Sequence, residues 1–189
     1  MGRAKALLPL GVDETFVSRI VATLREADVE DVVVVVGHEP DAIIAALERD
    51  RAAVRVVVNE EYERGQLTSL TAGLRVIDRP GVVAALVTLV DVPLVKLSTV
   101  RAVIEQYRRT RAPIVRPVRG ARHGHPVVID RALFAKLRAA DPADGAKSIV
   151  RAYASVAGDV DVDDDGAFED VDTPEEYGQL FSRFGLRDR

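Results

Sequence analysis

The chain has no cysteine. That absence excludes disulfides, a thiolate zinc site and a cysteine nucleophile together. Long apolar runs are missing too, and none approaches the roughly 20 residues needed to span a bilayer. The apolar stretch after Lys5 breaks at Pro9 and Gly11, too soon for a signal peptide. Positive charge is not in excess: 26 Lys and Arg against 30 Asp and Glu leave a net charge of −4. This argues against a general binder of nucleic acid or of anionic membranes. No G-x-S-x-G, H-E-x-x-H, complete G-x-G-x-x-G or Walker loop occurs, which lowers hydrolase, zincin, dinucleotide and P-loop readings. Linkers, repeats and low-complexity tracts are absent as well. What remains is an ordinary globular mixture, 48% apolar and 30% charged over 189 residues. One cytoplasmic domain spanning 1–189 is the expectation.

What is present begins with valine. Five valines at 32–36, closed by Gly37, read as a strand in a sheet covered on both faces. Residues 54–58 and 82–90 read the same way. The stretches 114–118 and 126–129 are shorter and interrupted by Pro113, Pro117 and Pro126, which suits edge strands or a hairpin. Between them the apolar spacing predicts helices over 16–27, 41–51, 67–77, 98–110, 131–140 and 147–154. A last helix starts at Thr173-Pro174-Glu175-Glu176, which offers an N-cap, a proline at the first helical position and a capping-box glutamate. Strands alternating with helices predict a mostly parallel α/β sheet, in which ligands collect at the carboxyl ends of the strands.

The residues just after the valine runs are therefore the ones to inspect. In "VAALVTLVDVPLV", Asp91 stands where an apolar strand ends and Pro93 prevents its continuation. A carboxylate there suits Mg²⁺, which takes few protein oxygens and fills the rest with water and phosphate; the alternative is a solvated aspartate that starts a turn. In "FEDVDTPEEY", Asp170 and Asp172 point to one side of an extended segment, so one can join Asp91 on a shared cation. The plainer account is that Asp172 precedes a capped helix, where negative charge is favourable. Asp161 to Gly166 imitates the front of an EF-hand loop, but Asp172 stands where a bidentate glutamate belongs and no helix enters it, so an acidic surface turn fits better. "NEEYERGQLTSLTAGL" joins Asn59 to Gly65, Thr68, Ser69 and Gly73, small and hydroxyl residues that allow close approach of a flat base, or simply an N-capped helix. "RPVRGARHGHPVVI" gathers Arg116, Arg119, Arg122, His123 and His125. It reads as a flexible basic loop receiving an anionic substrate, or as a solvated charged hairpin. His38 is expected to be structural.

Taken in order, "MGRAKALLPL", "VVVVVGHEPD", "NEEYERGQLTSLTAGL", "LVTLVDVPLV", "GHPVVI" and "DVDTPEEY" resemble the MobA-like nucleotidyltransferases, in the branch of the molybdenum cofactor cytidylyltransferases. The resemblance implies a Rossmann-like, mostly parallel sheet flanked by helices, of the nucleotide-diphospho-sugar transferase type. It implies that a phosphate on an acceptor attacks the α-phosphorus of a nucleoside triphosphate and that pyrophosphate leaves. By motif match, Lys5 binds the triphosphate with Arg3 in support, and Gly2, Gly65, Thr68 and Ser69 line the nucleotide. Asp91 and Asp172 hold Mg²⁺, Asp170 being the alternative to Asp172. Arg119, His125 and Pro126 lie beside the acceptor. The implied nucleotide is CTP, with GTP the other choice, and the implied acceptor is molybdopterin, with a molybdoenzyme as downstream partner. A sugar or polyol phosphate acceptor, or a non-catalytic relative that hands on a bound nucleotide or cofactor, are the alternatives. Family members carry a strand and a glycine-rich loop ahead of M-G-x-x-K, the strand lying mid-sheet. This sequence begins at that Met, so the expectation is a true start further upstream.

Overall fold

The computed structural model describes residues 4–11 and 14–183. Seven strands and seven helices are assigned within them. The first strand, β1 (Val33–Val36), pairs in parallel with β2 (Arg55–Val58), and α2 (Pro40–Arg49) makes the crossover between them. Helix α3 (Gln66–Ile77) then leads to β3 (Ala84–Val87), and α4 (Leu97–Thr110) to β4 (Ile114–Arg119). A tight hairpin joins β4 to the short β5 (Arg122–His123), and β6 (Val127–Asp130) follows at once. Helices α5 (Phe134–Ala139) and α6 (Lys147–Tyr153), strand β7 (Asp159–Asp161) and helix α7 (Pro174–Arg183) complete the chain, and α1 (Phe16–Glu26) precedes β1.

The α/β class and the flanking helices agree with the sequence pattern. The pairing is mixed in detail: β1–β2 and β4–β7 are parallel, whereas β3–β6, β4–β6 and β4–β5 are antiparallel. The proline-marked strands β4 and β6 are central, not marginal. Strand β4 pairs with β6 through Ile114 and Val115, then changes partners to β5 and β7 around Pro117. Proline's missing N–H is tolerated where the ladder switches. The strand expected over 82–90 is hydrogen-bonded only from Ala84 to Val87, so Asp91 lies in the loop beyond it.

The strands form two sheets. Among the described residues β1 pairs only with β2, and β3 only with β6, so each leaves one edge without a neighbouring strand. Side chains nevertheless join the halves. Val36 and Leu47 share a core with α1 and with Val100 of α4, and Val34, Leu86 and Val90 pack against it. On the other face Leu67 and Leu74 of α3 pack with Ala85 and Ile129, while Gly73 of the same helix lies against Val35. The open edge also explains a departure from the valine reading. Val32 and Val36 are buried, but Val33, Val34 and Val35 are only partly so, as no strand among the described residues flanks them on that side. His38, expected to be structural, is an exposed side chain beside Tyr62. No helix among the described residues is long and apolar enough to cross a membrane.

Candidate active site

Two segments remote in sequence meet after β3. Lys5 sits on a single 3-10 turn, Lys5–Leu7, whose flanking residues Leu8 and Leu10 are buried against Phe16, Val171 and Leu180. Tyr177 of α7 donates its hydroxyl to the Pro9 carbonyl at 2.8 Å, which binds the last helix to the first described segment. The consequence is that Lys5 Nζ reaches Asp172 Oδ1 at 2.5 Å, a charge-assisted pair across 167 positions of sequence. Asp172 is itself oriented from behind. Its N–H and that of Thr173 both donate to Glu176 Oε2 at 2.8 Å, while the Thr173 hydroxyl accepts from Glu176 N at 3.2 Å. These amides hold the Glu176 carboxyl below its usual range. The capping box is legible in Thr173-x-x-Glu176. That it also fixes the Asp172 backbone was the part the motif did not announce.

Asp91 is the third member. Its carbonyl accepts the Val171 N–H at 2.9 Å, so the loop after β3 and the segment before α7 run side by side. Its Oδ1 is buried without a hydrogen-bond partner. Burial raises the Asp91 carboxyl above its ordinary value, the Asp170 charge pushes the same way, and Lys5 pulls partly back. A buried carboxylate oxygen with no donor, beside two further carboxylates and one ammonium, is a donor set that a hard divalent cation would satisfy. No three acidic or histidine side chains among the described residues already stand at ligating distance from one another. The set therefore fits an ion that takes one or two carboxylates and completes its shell with phosphate and water oxygens, as Mg²⁺ does. His125 belongs to the same neighbourhood. Burial lowers its pKa, while the Val87 carbonyl and the Asp91 and Asp170 charges partly offset that. Its Nδ1 is buried and unpartnered, and the His125–Pro126 peptide is cis.

The other expected residues are placed differently. Asn59, at the carboxyl end of β2, is buried and donates from Nδ2 to Thr68 Oγ1 and Ser69 Oγ, both at 2.9 Å. The Thr68 hydroxyl also reaches the Gly65 carbonyl at 2.8 Å, and Glu61 N donates to Asn59 Oδ1 at 3.1 Å. This network fixes the entry to α3, and Gly65 stands at φ +114°, a conformation that favours glycine. Thr68 is thus engaged internally, and Ser69 is the more accessible hydroxyl. Pro126 is buried beside Val92, Pro93 and Val100. Arg119 is paired rather than presented: it bonds Asp165 at 2.6 Å and approaches Asp163 at 3.5 Å. Asp163 and Asp165 of the acidic run resembling a calcium loop are engaged in this way. Its central Asp164 is buried and takes Lys96 N at 2.9 Å and the Thr99 hydroxyl at 2.6 Å, capping α4 from a distance. Gly2 and Arg3 lie outside the described residues.

Comparison with known proteins follows the same lines. The family model described as the MobA-like NTP transferase domain matches residues 1–156. No curated protein gives a significant match. Among solved structures, the Rv0371c protein of Mycobacterium tuberculosis H37Rv, in complex with manganese, is 27% identical, with a TM-score of 0.77 over 96% of this chain and 93% of that one. A nucleotidyl transferase from Methanothermobacter thermautotrophicus is 21% identical, with a TM-score of 0.77 over 95% of this chain and 84% of that one. The molybdopterin-guanine dinucleotide biosynthesis protein A of Archaeoglobus fulgidus is 14% identical, with a TM-score of 0.66 over 97% and 92%. The last two likenesses are likenesses of fold.

Proposed function

Because the chain belongs to the MobA-like NTP transferase family and is a nucleotidyltransferase, we propose that it transfers CMP from CTP to a phosphorylated acceptor, with molybdopterin as that acceptor and Mg²⁺ as the cofactor. The observation that carries this reading is the partnerless, buried Oδ1 of Asp91 facing a lysine and two further carboxylates. A phosphate oxygen of the acceptor attacks the α-phosphorus, a new P–O bond forms, the α–β bridging P–O bond breaks, and pyrophosphate carries away the electron pair. Such transfers need little covalent help; positioning and neutralisation of charge supply most of the rate. Asp91, with Asp172 or Asp170, would hold the cation, which when bound screens the phosphate charges and orients their oxygens. Lys5 leaves Asp172 for the triphosphate and stabilises charge on the transferring phosphorus. Arg3 supports it, Gly2 belongs to the phosphate side, and Gly65, Thr68 and Ser69 flank the base, Thr68 by shaping the pocket wall.

On the acceptor side we place His125, with Pro126 setting its backbone and Arg119 acting at the rim. The cytoplasm, where nucleoside triphosphates are made, is the matching compartment, and a molybdoenzyme would receive the product. Titration of CTP and GTP into the protein, with and without Mg²⁺ and beside Asp91→Asn, tests the reading. Mg²⁺-dependent binding of CTP that the variant loses is the expected result. A preference for GTP would overturn the cytidylyl assignment alone, and binding indifferent to both metal and variant would overturn the site.

A further inference from the structure

Asp170 raises a question of placement. It is exposed, and its carboxylate has no hydrogen bond or ion pair among the described residues. The bond from the neighbouring Val171 N–H to the Asp91 carbonyl, 2.9 Å long, nonetheless brings this segment alongside Asp91. Two like charges left to themselves move apart, so the backbone around Asp170 must be held from elsewhere.

The holding points flank it closely. Downstream, Val171 N bonds the Asp91 carbonyl at 2.9 Å. Upstream, the guanidinium carbons of Arg119 and Arg122 stand 5.2 and 5.3 Å from the centroid of the Phe168 ring, and Arg122 donates to the Phe168 carbonyl at 2.6 Å. His125 N bonds the Ala167 carbonyl at 2.8 Å, and a Cβ on Gly124 would lie 2.2 Å from that same carbonyl. Gly166 is equally tight against the Leu94 carbonyl, and Asp164 is fastened to the start of α4. Only Glu169 and Asp170 lie between the anchors at Phe168 and Val171.

We propose that Phe168, gripped by Arg119 and Arg122, is a positioning residue that sets Asp170 against Asp91 and so builds the divalent-cation site. This rests on the metal reading given above. It gives the basic hairpin a task separate from acceptor binding: its two arginines act through an aromatic ring on a carboxylate two residues further on. Cations over a ring are attracted by its negative face, and the ring's own burial excludes water from the contact. Residues that orient a metal ligand from behind govern affinity for the ion rather than contact with substrate.

The test is Mn²⁺ binding to the full chain, read by electron paramagnetic resonance of the free ion, with melting temperature measured alongside. Phe168→Leu keeps apolar volume and removes the ring face; Phe168→Tyr keeps the face. Weakening of Mn²⁺ affinity by about tenfold in Phe168→Leu, with affinity near wild type in Phe168→Tyr and little change in melting, is the expected pattern. Arg122→Met, an exposed substitution, gives the same weakening if Phe168→Leu fails to fold. Wild-type affinity in both Phe168→Leu and Arg122→Met would overturn the inference while leaving the metal site standing. Absence of Mn²⁺ binding by the wild type would overturn both.

Discussion

Asp91 and Lys5 carry most of the proposed chemistry, and each makes a separate prediction. Asp91→Asn removes the charge proposed to bind the metal, so metal-dependent turnover should fall about a hundredfold or more in a steady-state assay. The same change stabilises the metal-free protein. Asp91's folded-state pKa lies above its unfolded value, so its contribution to stability is fully present below the ordinary carboxylate range and is lost as pH rises through the folded value. Melting in the presence of a chelator should therefore show Asp91→Asn above wild type at pH 7, with the gap closing as pH falls into the carboxylate range. A gap that persists unchanged at low pH would assign the effect to something other than ionisation. Lys5→Ala weakens triphosphate binding about tenfold and monophosphate binding less, as expected for a charged hydrogen bond to the outer phosphates. Calorimetric titration of both nucleotides distinguishes this from a general loss of the site.

At the scale of elements, the site depends on how α7 and the β4–β5 hairpin are held. Thr173→Ala removes the hydroxyl that caps α7. It costs about 1 kcal/mol, or a melting shift of about 2–4 °C for a chain of this size. It also loosens Asp172, so apparent metal affinity falls with it. The capping box was legible in the sequence because Ser or Thr followed three residues later by Glu is a local pattern. The hairpin was legible as a basic, glycine-containing stretch after a proline-marked strand, but the use of its arginines was not. Arg119 and Arg122 each lie more than forty positions from Phe168, and nothing periodic connects them to it. Gly124→Ala probes that contact from the other side. The added methyl meets the Ala167 carbonyl at 2.2 Å, so overpacking should cost about 1–3 kcal/mol in chemical denaturation.

At the scale of the whole molecule, the strands among the described residues form two sheets, β2–β1 and β3–β6–β4–β5 with β7 beside β4, joined by shared hydrophobic clusters. Unpaired strand edges expose amides that a flanking strand would otherwise protect. Hydrogen exchange should therefore be fast at those amides of β1 and β3 that do not donate to β2 or β6, and slow at Val115 and Val128, which lie inside the β4–β6 ladder. Uniform slow exchange across all four strands would contradict the open edges.

Local order alone determined much of this protein. Runs of β-branched residues, helical spacing, Thr173 before Pro174, and a polar residue at each strand end are properties of neighbouring positions, and they fix element type and the strand ends at which the candidate site was sought. Only the tertiary structure decided which carboxylate Lys5 would meet, that Thr68 is engaged by Asn59, that Asp163 and Asp165 serve Arg119, and that β4 sits centrally. Those outcomes depend on which distant surfaces can be buried together and on which buried polar groups must then find partners. Local patterns of neighbouring positions do not reveal that choice.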